Sequence, residues 1–262
     1  MTILGAINPE NLLTERLFWL KVDGLIVMIG YVLGSIPFGY LVAKARGMDI
    51  RQHGSGNIGA TNVMRVLGKG PGYTVFACDA LKGLAAVLAA KYIAGHHSIS
   101  FMQVQSTGNT YDPGTPIYIY HDIYIITLPE SIAAISAAIA CIIGHNFPVW
   151  LGFKGGKGMA TSAGVLIGMI PLTAAICMAL WGVVFLMTRY VSLASLAASI
   201  ALPVVTMILL TVGLIHGWPY FYFTVAACIL AVWRHRSNIV RLMNGTENRF
   251  VKKPKAEPPQ EQ

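Results

Sequence analysis

Residues 23–43 read DGLIVMIGYVLGSIPFGYLVA, and shortly beyond them residues 54–62 read GSGNIGATN. In the first stretch Asp23 is followed by twenty uncharged, mostly apolar residues, the length that crosses a hydrocarbon core. Gly30-x-x-x-Gly34 is a small-residue spacing that lets helices pack closely. Pro37, within Gly34-Ser35-Ile36-Pro37-Phe38-Gly39, removes a backbone donor and predicts a kink or break. Similar windows recur at about 71–94, 129–146, 159–171, 172–188, 191–213 and 218–233. Only 11% of the chain is charged and 55% is hydrophobic, against about 25% charged in a soluble domain. The pattern predicts an all-α, polytopic integral membrane protein of seven transmembrane helices joined in part by Gly-rich loops.

The second stretch sits between two apolar spans and contains no acid. Gly54, Gly56 and Gly59 let the backbone turn at positive φ and approach a ligand closely, and consecutive amides in such a loop form a nest for an anion. Ser55, Asn57, Thr61 and Asn62 add neutral donors. Arg65 adds a fork that fits phosphate, and a helix starting near residue 60 would point its N-terminus at the anion. The loop reads as a phosphate site. The plain alternative is a polar turn between membrane helices.

Seven spans place the loops on alternating sides, which the distribution of Lys and Arg can test. Loop 44–70 holds five (Lys44, Arg46, Arg51, Arg65, Lys69), loop 147–158 holds Lys154 and Lys157, the next turn holds Arg189, and the tail holds seven. These are fifteen of the nineteen basic residues. The asymmetry predicts the N-terminus outside and the C-terminus in the cytoplasm, with every Gly-rich segment on the cytoplasmic face. The net charge of +8 therefore speaks for a membrane surface rather than nucleic acid. Asp79 and Lys82 sit three apart in the second span, where an ion pair is either functional or a structural tie for the loop. Cys78, Cys141, Cys177 and Cys228 fall inside apolar spans without a CxxC pair, so neither zinc nor a disulfide framework is indicated. No cleavable signal peptide is evident in residues 1–20.

A second glycine loop, Lys154-Gly155-Gly156-Lys157-Gly158, again leads into a helix, with lysine as a point charge for phosphate. At the end of the last span His235 and Asn238 lie three apart on one helical face. Absences narrow the chemistry. There is no DxD or Asp-Asp pair for a metal-dependent phosphotransferase. There is no Walker loop, since Gly158 follows Lys157, and no His followed by Asp five positions on. His53, His145 and His235 are the only candidate bases near the loops.

Gly34-Ser35-Ile36-Pro37, the run Gly54–Arg65, Phe76-x-x-Asp79-x-x-Lys82-Gly83, Gly144-His145-x-Phe147-Pro148, Lys154–Gly158 and His235-x-x-Asn238-Ile239 occur in the order of one known family. Together they resemble the acyl-phosphate:glycerol-3-phosphate acyltransferases (PlsY), over most of residues 30–95 and 129–247. The resemblance implies a multi-pass enzyme of the bacterial inner membrane, with Gly-rich cytoplasmic loops and short half-helices forming the active site. It would transfer an acyl group from acyl phosphate to the 1-hydroxyl of sn-glycerol 3-phosphate, giving lysophosphatidic acid and phosphate in phospholipid synthesis. No metal, nucleotide or other cofactor is implied. Carried over by residue, it makes Ser55, Arg65, His235 and Asn238 catalytic. Gly54, Gly56, Asn57, Gly59, Thr61, Asn62 and Lys154–Gly158 become the phosphate-binding loops, and Glu247 a structural carboxylate. Ser35, Asp79, Lys82, His145 and Ser192 stand as supporting positions.

An acyl phosphate is already activated, so such an enzyme needs no nucleophile of its own; it must hold two anions and exclude water. The leaving phosphate, His235, or a covalent route through Ser55 are the mechanisms left open, as is the choice between Lys154 and Lys157. Residues 1–250 form one domain in this reading, with 96–128 an extracytoplasmic insert and 251–262 a disordered tail. The insert, with Tyr111, Tyr118, Tyr120, Tyr124, His96, His97 and His121, reads as a lid at the outer interface in preference to a metal site. A transporter for a phosphorylated solute is the alternative class, although no internal repeat supports it.

Overall fold

The computed structural model describes the backbone of residues 9–106 and 130–250, and side chains within 17–95 and 130–250. Among these residues the chain is helical throughout its regular structure: α1 Pro9–Ser35, α2 Phe38–Lys44, α3 Ala60–Leu67, α4 Lys69–Ser106, α5 Glu130–Asn146, α6 Met159–Met169, α7 Pro171–Thr188, α8 Val191–Thr211, α9 Trp218–Arg234 and α10 Arg236–Met243. Five segments are long and apolar enough to cross a membrane: Leu17–Lys44, Lys69–Gly95, Glu130–Leu151, Pro171–Thr188 and Val191–Thr211. Two of the seven expected spans fall short of that measure. α6 has 11 residues, about 16 Å of helix, and α9 has 17.

Proline sets both helix breaks in the first and fourth spans. Pro37 separates α1 from α2, and the freed Ile36 carbonyl accepts a hydrogen bond from Lys82 Nζ at 2.8 Å. Pro171 opens α7 and ends α6, where Lys91 Nζ from α4 donates to the Gly168 carbonyl at 2.8 Å. Each lysine satisfies a carbonyl that the break leaves without its helical partner. The outward faces show membrane character. Ile200, Val204 and Ile208, one turn apart on α8, are all more than half exposed, while Ser195, Ser199, Leu202 and Thr206 on the other side are buried. On α8 the inner side is thus mostly small and polar and the outer side apolar, as suits a helix packed inward and facing lipid outward.

The predicted close packing at Gly30 and Gly34 is present. A side chain added at Gly34 would lie 2.1 Å from the Cys141 carbonyl oxygen, and one at Gly30 would lie 2.8 Å from that of Ala137. α1 therefore rests backbone-to-backbone on α5. α4 and α6 meet in the same way, since a Cβ on Gly164 would fall 1.8 Å from the Ala80 carbonyl. Gly34→Ala is expected to force α1 and α5 apart and destabilise the protein by about 2 kcal/mol, seen as a lower Tm in detergent.

α4 runs to Ser106, past residue 94 where the sequence reading ends that span. No proline or turn cluster interrupts residues 95–106, so the first part of the 96–128 insert continues the helix. The rest of the insert, the side chains of His96, His97 and His121, and the 251–262 tail lie outside the described residues.

The chain returns to one end of the bundle after α1–α2, after the pair α4–α5, after α6–α7 and after α8–α9. Arg234 touches the 155–156 loop, Arg249 touches Thr188, and Arg65 touches Asn248. A cluster of Ala43, Ile50, Ile58, Val63, Val75 and Leu151 underpins that end.

Candidate active site

Asn62 organises the first glycine loop. Its side chain, 2% exposed, donates from Nδ2 to the carbonyls of His53 at 3.0 Å and Asn57 at 2.9 Å, and its Oδ1 accepts the Ser55 N–H at 2.8 Å. Gly54, at φ 62, passes so close that a Cβ would sit 2.3 Å from Asn62 Oδ1. Asn57 Oδ1 accepts the Gly59 N–H at 2.8 Å, and the Gly56 N–H goes to the His53 carbonyl. The structure thus corrects part of the expectation. Asn62 and the amides of Ser55, Gly56 and Gly59 are engaged in holding the loop, so they do not form an open anion nest. What the loop presents is its tip, with Ser55 exposed, and the start of α3. There Ala60 and Thr61 carry helix-opening N–H groups without helical partners, and Arg65 lies one turn beyond Thr61.

The second glycine loop doubles back onto the end of α5. The Gly155 and Gly156 N–H groups donate to the carbonyls of Asn146 and His145, each at 3.1 Å, capping that helix. A Cβ would lie 2.1 Å from the His145 carbonyl oxygen at position 155 and 2.1 Å from His145 Nε2 at position 156. Only glycine fits at either position. Gly158, at φ 80, starts α6. Arg234 at the end of α9 grips the loop from the other side, donating to the carbonyls of Gly155 and Gly156, with its guanidinium carbon 5.2 Å from the centre of the Phe147 ring. These two glycine amides are therefore also structural rather than free for phosphate.

The lysines divide cleanly. Lys154 is exposed. Lys157 is half-buried and hydrogen-bonds through Nζ to Asn238 Oδ1. Asn238 Nδ2 in turn donates to Glu247 Oε1 at 2.8 Å, which also accepts from Ser192 Oγ at 2.9 Å, while Arg241 Nε reaches Oε2 at 2.8 Å. Burial raises the Glu247 pKa, but the hydrogen bonds from Arg241, Asn238 and Ser192 outweigh it and hold the carboxyl below its ordinary value. Burial, with the charges of Arg241, Arg234 and Arg65, lowers Lys157 to about 8 despite Glu247. His235, 3% exposed, donates Nδ1–H to the Ala231 carbonyl at 2.8 Å, a tautomer fixed by an acceptor-only partner. Burial first, then the Lys157 charge, lowers its pKa to about 4.

Asp79, Lys82 and His145 form a buried group behind the loops. Lys82 Nζ lies 2.8 Å and His145 Nδ1 3.5 Å from Asp79 Oδ1. Through Lys82 this group holds the Ile36 break, and through His145 it backs Gly156. Of the two readings of the Asp79–Lys82 pair, its contacts are those of the structural tie. Ser35 is fully buried against α5. Asp49 is spent on Arg51, whose guanidinium bonds at 2.6 and 2.9 Å hold the carboxyl at about 2.

One end of the bundle thus gathers Arg65, Lys157, His235, Asn238, Ser192 and Glu247, with Arg234 and Arg241, which the sequence reading counts only among the seven basic residues of the tail. Glu247 is the acid that reaches this cluster, because the chain after α10 brings it to Asn238. The i,i+3 spacing of Asn238 and Arg241 was the available signal for Arg241.

Comparison with known proteins decides the family. The family model described as glycerol-3-phosphate acyltransferase matches residues 24–245. The chain belongs to the glycerol-3-phosphate acyltransferase family. A relative of that name from Thermosynechococcus vestitus is 40% identical over 228 residues, covering 87% of this chain and 94% of its own. One from Halalkalibacterium halodurans is 40% identical over 242 residues, covering 89% and 98%. The crystal structure of PlsY, an integral membrane glycerol 3-phosphate acyltransferase in its glycerol 3-phosphate form, superposes with a TM-score of 0.67 at 36% identity, covering 87% of this chain and 96% of that one. Its lysophosphatidic acid form gives 0.65 at 35%. Membership makes the chain a multi-pass membrane acyltransferase.

The shifted groups set an expected pH profile for such an enzyme, since kcat/KM reports the free protein. Lys157 is an ammonium below about 8 and loses its charge above it. The account therefore predicts that kcat/KM falls as pH rises through that value, and that Lys157→Arg removes this limb. His235, already neutral above about 4, should add no acid limb near pH 6.5.

Proposed function

We propose that this end of the bundle transfers an acyl group from acyl phosphate to the 1-hydroxyl of sn-glycerol 3-phosphate, releasing lysophosphatidic acid and inorganic phosphate. The observation that carries this reading is the Lys157–Asn238–Glu247 chain set among Arg65, Arg234 and Arg241. Four cations around one carboxylate leave a positive excess suited to phosphate. The hydroxyl oxygen attacks the acyl carbon, the bond from that carbon to the phosphate oxygen breaks, and the hydroxyl proton ends on the departing phosphate. Arg65 and Lys157 neutralise the phosphates, and Ser55 with the opening N–H groups of α3 steadies the developing oxyanion.

Asp49 and Asp79 are committed to ion pairs, and His235 has a pKa too low for a strong base. These facts favour the substrate's own phosphate as proton acceptor. Asn62, Gly155 and Gly156 serve by holding the loops. An apolar groove of about 320 Å³ beside the α1–α2 break, lined by residues including Val32, Pro37, Leu41 and Trp150, suits the acyl chain.

In this reading residues 1–250 are a single domain of seven crossings in the bacterial inner membrane, N-terminus outside, with α6 and α9 completing the count. The site then faces the cytoplasm, the side that the fifteen basic residues mark. The test is acyl transfer by the purified chain in detergent, where transport has no meaning. Lysophosphatidic acid and phosphate released in equal amounts support the reading. Uptake of a phosphorylated solute in vesicles without any transfer would replace it with the carrier.

A further inference from the structure

After α10 the chain turns at Gly245 (φ 67) and runs as a strap through residues 246–250 across the ends of α3, α7 and α8. These residues lie past 245, the last that the family match covers. Glu247 fastens the strap's start to Ser192, Asn238 and Arg241. Its far end is fastened independently. The Phe250 N–H donates to the Arg189 carbonyl at 2.9 Å, and Arg249 Nε donates to the Thr188 carbonyl at 3.1 Å. The Phe250 ring stands edge-on to Phe185 at 5.9 Å, and Phe185 stacks on Trp181 at 5.1 Å.

Against this fixed surface lies Arg65. Its guanidinium carbon is 5.0 Å from the centre of the Phe250 ring, and its Nη2 donates to the Asn248 carbonyl at 3.2 Å. Among the described residues that is the hydrogen bond its guanidinium makes. A guanidinium carries five donors in one plane, so a ring over its face and a carbonyl on one N–H leave the other donors along an open edge. Arg65 itself stands exposed on the short helix α3, where a free arginine samples many rotamers.

We propose that Phe250, with the Asn248 carbonyl, is a positioning element that holds the Arg65 guanidinium with its free edge toward substrate phosphate. It thereby sets phosphate affinity from a segment outside both glycine loops. This rests on the reading of Arg65 as a phosphate ligand. The ring supplies cation–π attraction and blocks one face, and the carbonyl fixes rotation about the last torsions. α7 is thereby coupled to α3 through a residue that touches no substrate.

Steady-state kinetics with radiolabelled glycerol 3-phosphate and palmitoyl phosphate test it on the full chain, with size-exclusion behaviour and Tm as controls for folding. Phe250→Leu is expected to raise the KM of one phosphate-bearing substrate about fivefold, with kcat little changed. Phe250→Tyr, which keeps the ring, is expected to stay near wild type. In an Arg65→Lys background the Phe250→Leu effect should shrink to less than about twofold, because the two residues act as one. An unchanged KM in Phe250→Leu, or an effect of undiminished size in the Arg65→Lys background, overturns the positioning role alone. Absence of transfer by the wild-type chain overturns the site reading and this inference together.

Discussion

Arg65→Ala is expected to lower kcat/KM for acyl transfer by about a thousandfold, with little change in Tm. The side chain is exposed and among the described residues makes one hydrogen bond, to a carbonyl, so folding loses little when it is removed. Catalysis loses a two-pronged cation at the point where phosphate charge must be held. Arg65→Lys retains the charge and forfeits the fork, so it should fall between, at roughly a tenfold loss. A loss of activity in detergent also speaks against a pure carrier. The measurement is initial rate against each substrate. A loss below about tenfold would remove Arg65 from the chemistry.

Glu247→Ala is expected to damage both stability and rate. One carboxylate accepts from Ser192, Asn238 and Arg241, and its negative charge offsets those of Lys157 and Arg65. Removal leaves buried donors unsatisfied and like charges unrelieved, destabilising the protein by about 3 kcal/mol. Asn238 then loses the anchor that aims its carbonyl oxygen at Lys157, so the rate should fall beyond what unfolding explains. The pH sign follows from the carboxyl's lowered pKa. Its contribution is full above the unfolded carboxylate value and is lost as pH falls through the folded one. Thermal unfolding of wild type and Glu247→Gln should therefore converge toward low pH and diverge at neutrality.

Much of this was legible before any coordinates. Uncharged windows such as 24–43, broken by Pro37 and bounded by basic loops, specify a membrane helix bundle because the bilayer admits little else. The small-residue spacing at Gly30 and Gly34 foretold a close helix crossing, and glycine loops with cations foretold the gathering of Arg65 and Lys157 at one end of the bundle. The partners were not legible. Residue types cannot say whether Asn62 faces a ligand or its own loop, and here the loop's carbonyls claim it. Gly155 and Gly156 looked like phosphate-cradling amides, yet they cap α5, because the chain must reverse directly over His145. Glu247 is remote in sequence from both loops and reaches Asn238 only because the strap folds back. α6 has only 11 residues because Pro171 ends it, with Lys91 available to bond a carbonyl of its last turn.

The most direct test of the central claim, a phosphate-reading site fed by an already activated donor, is donor choice. The purified chain, radiolabelled glycerol 3-phosphate and, in parallel, palmitoyl phosphate, palmitoyl-CoA or palmitoyl-acyl carrier protein are incubated without added metal or nucleotide. The account predicts lysophosphatidic acid from palmitoyl phosphate alone. Product from a thioester donor but not from palmitoyl phosphate would contradict it.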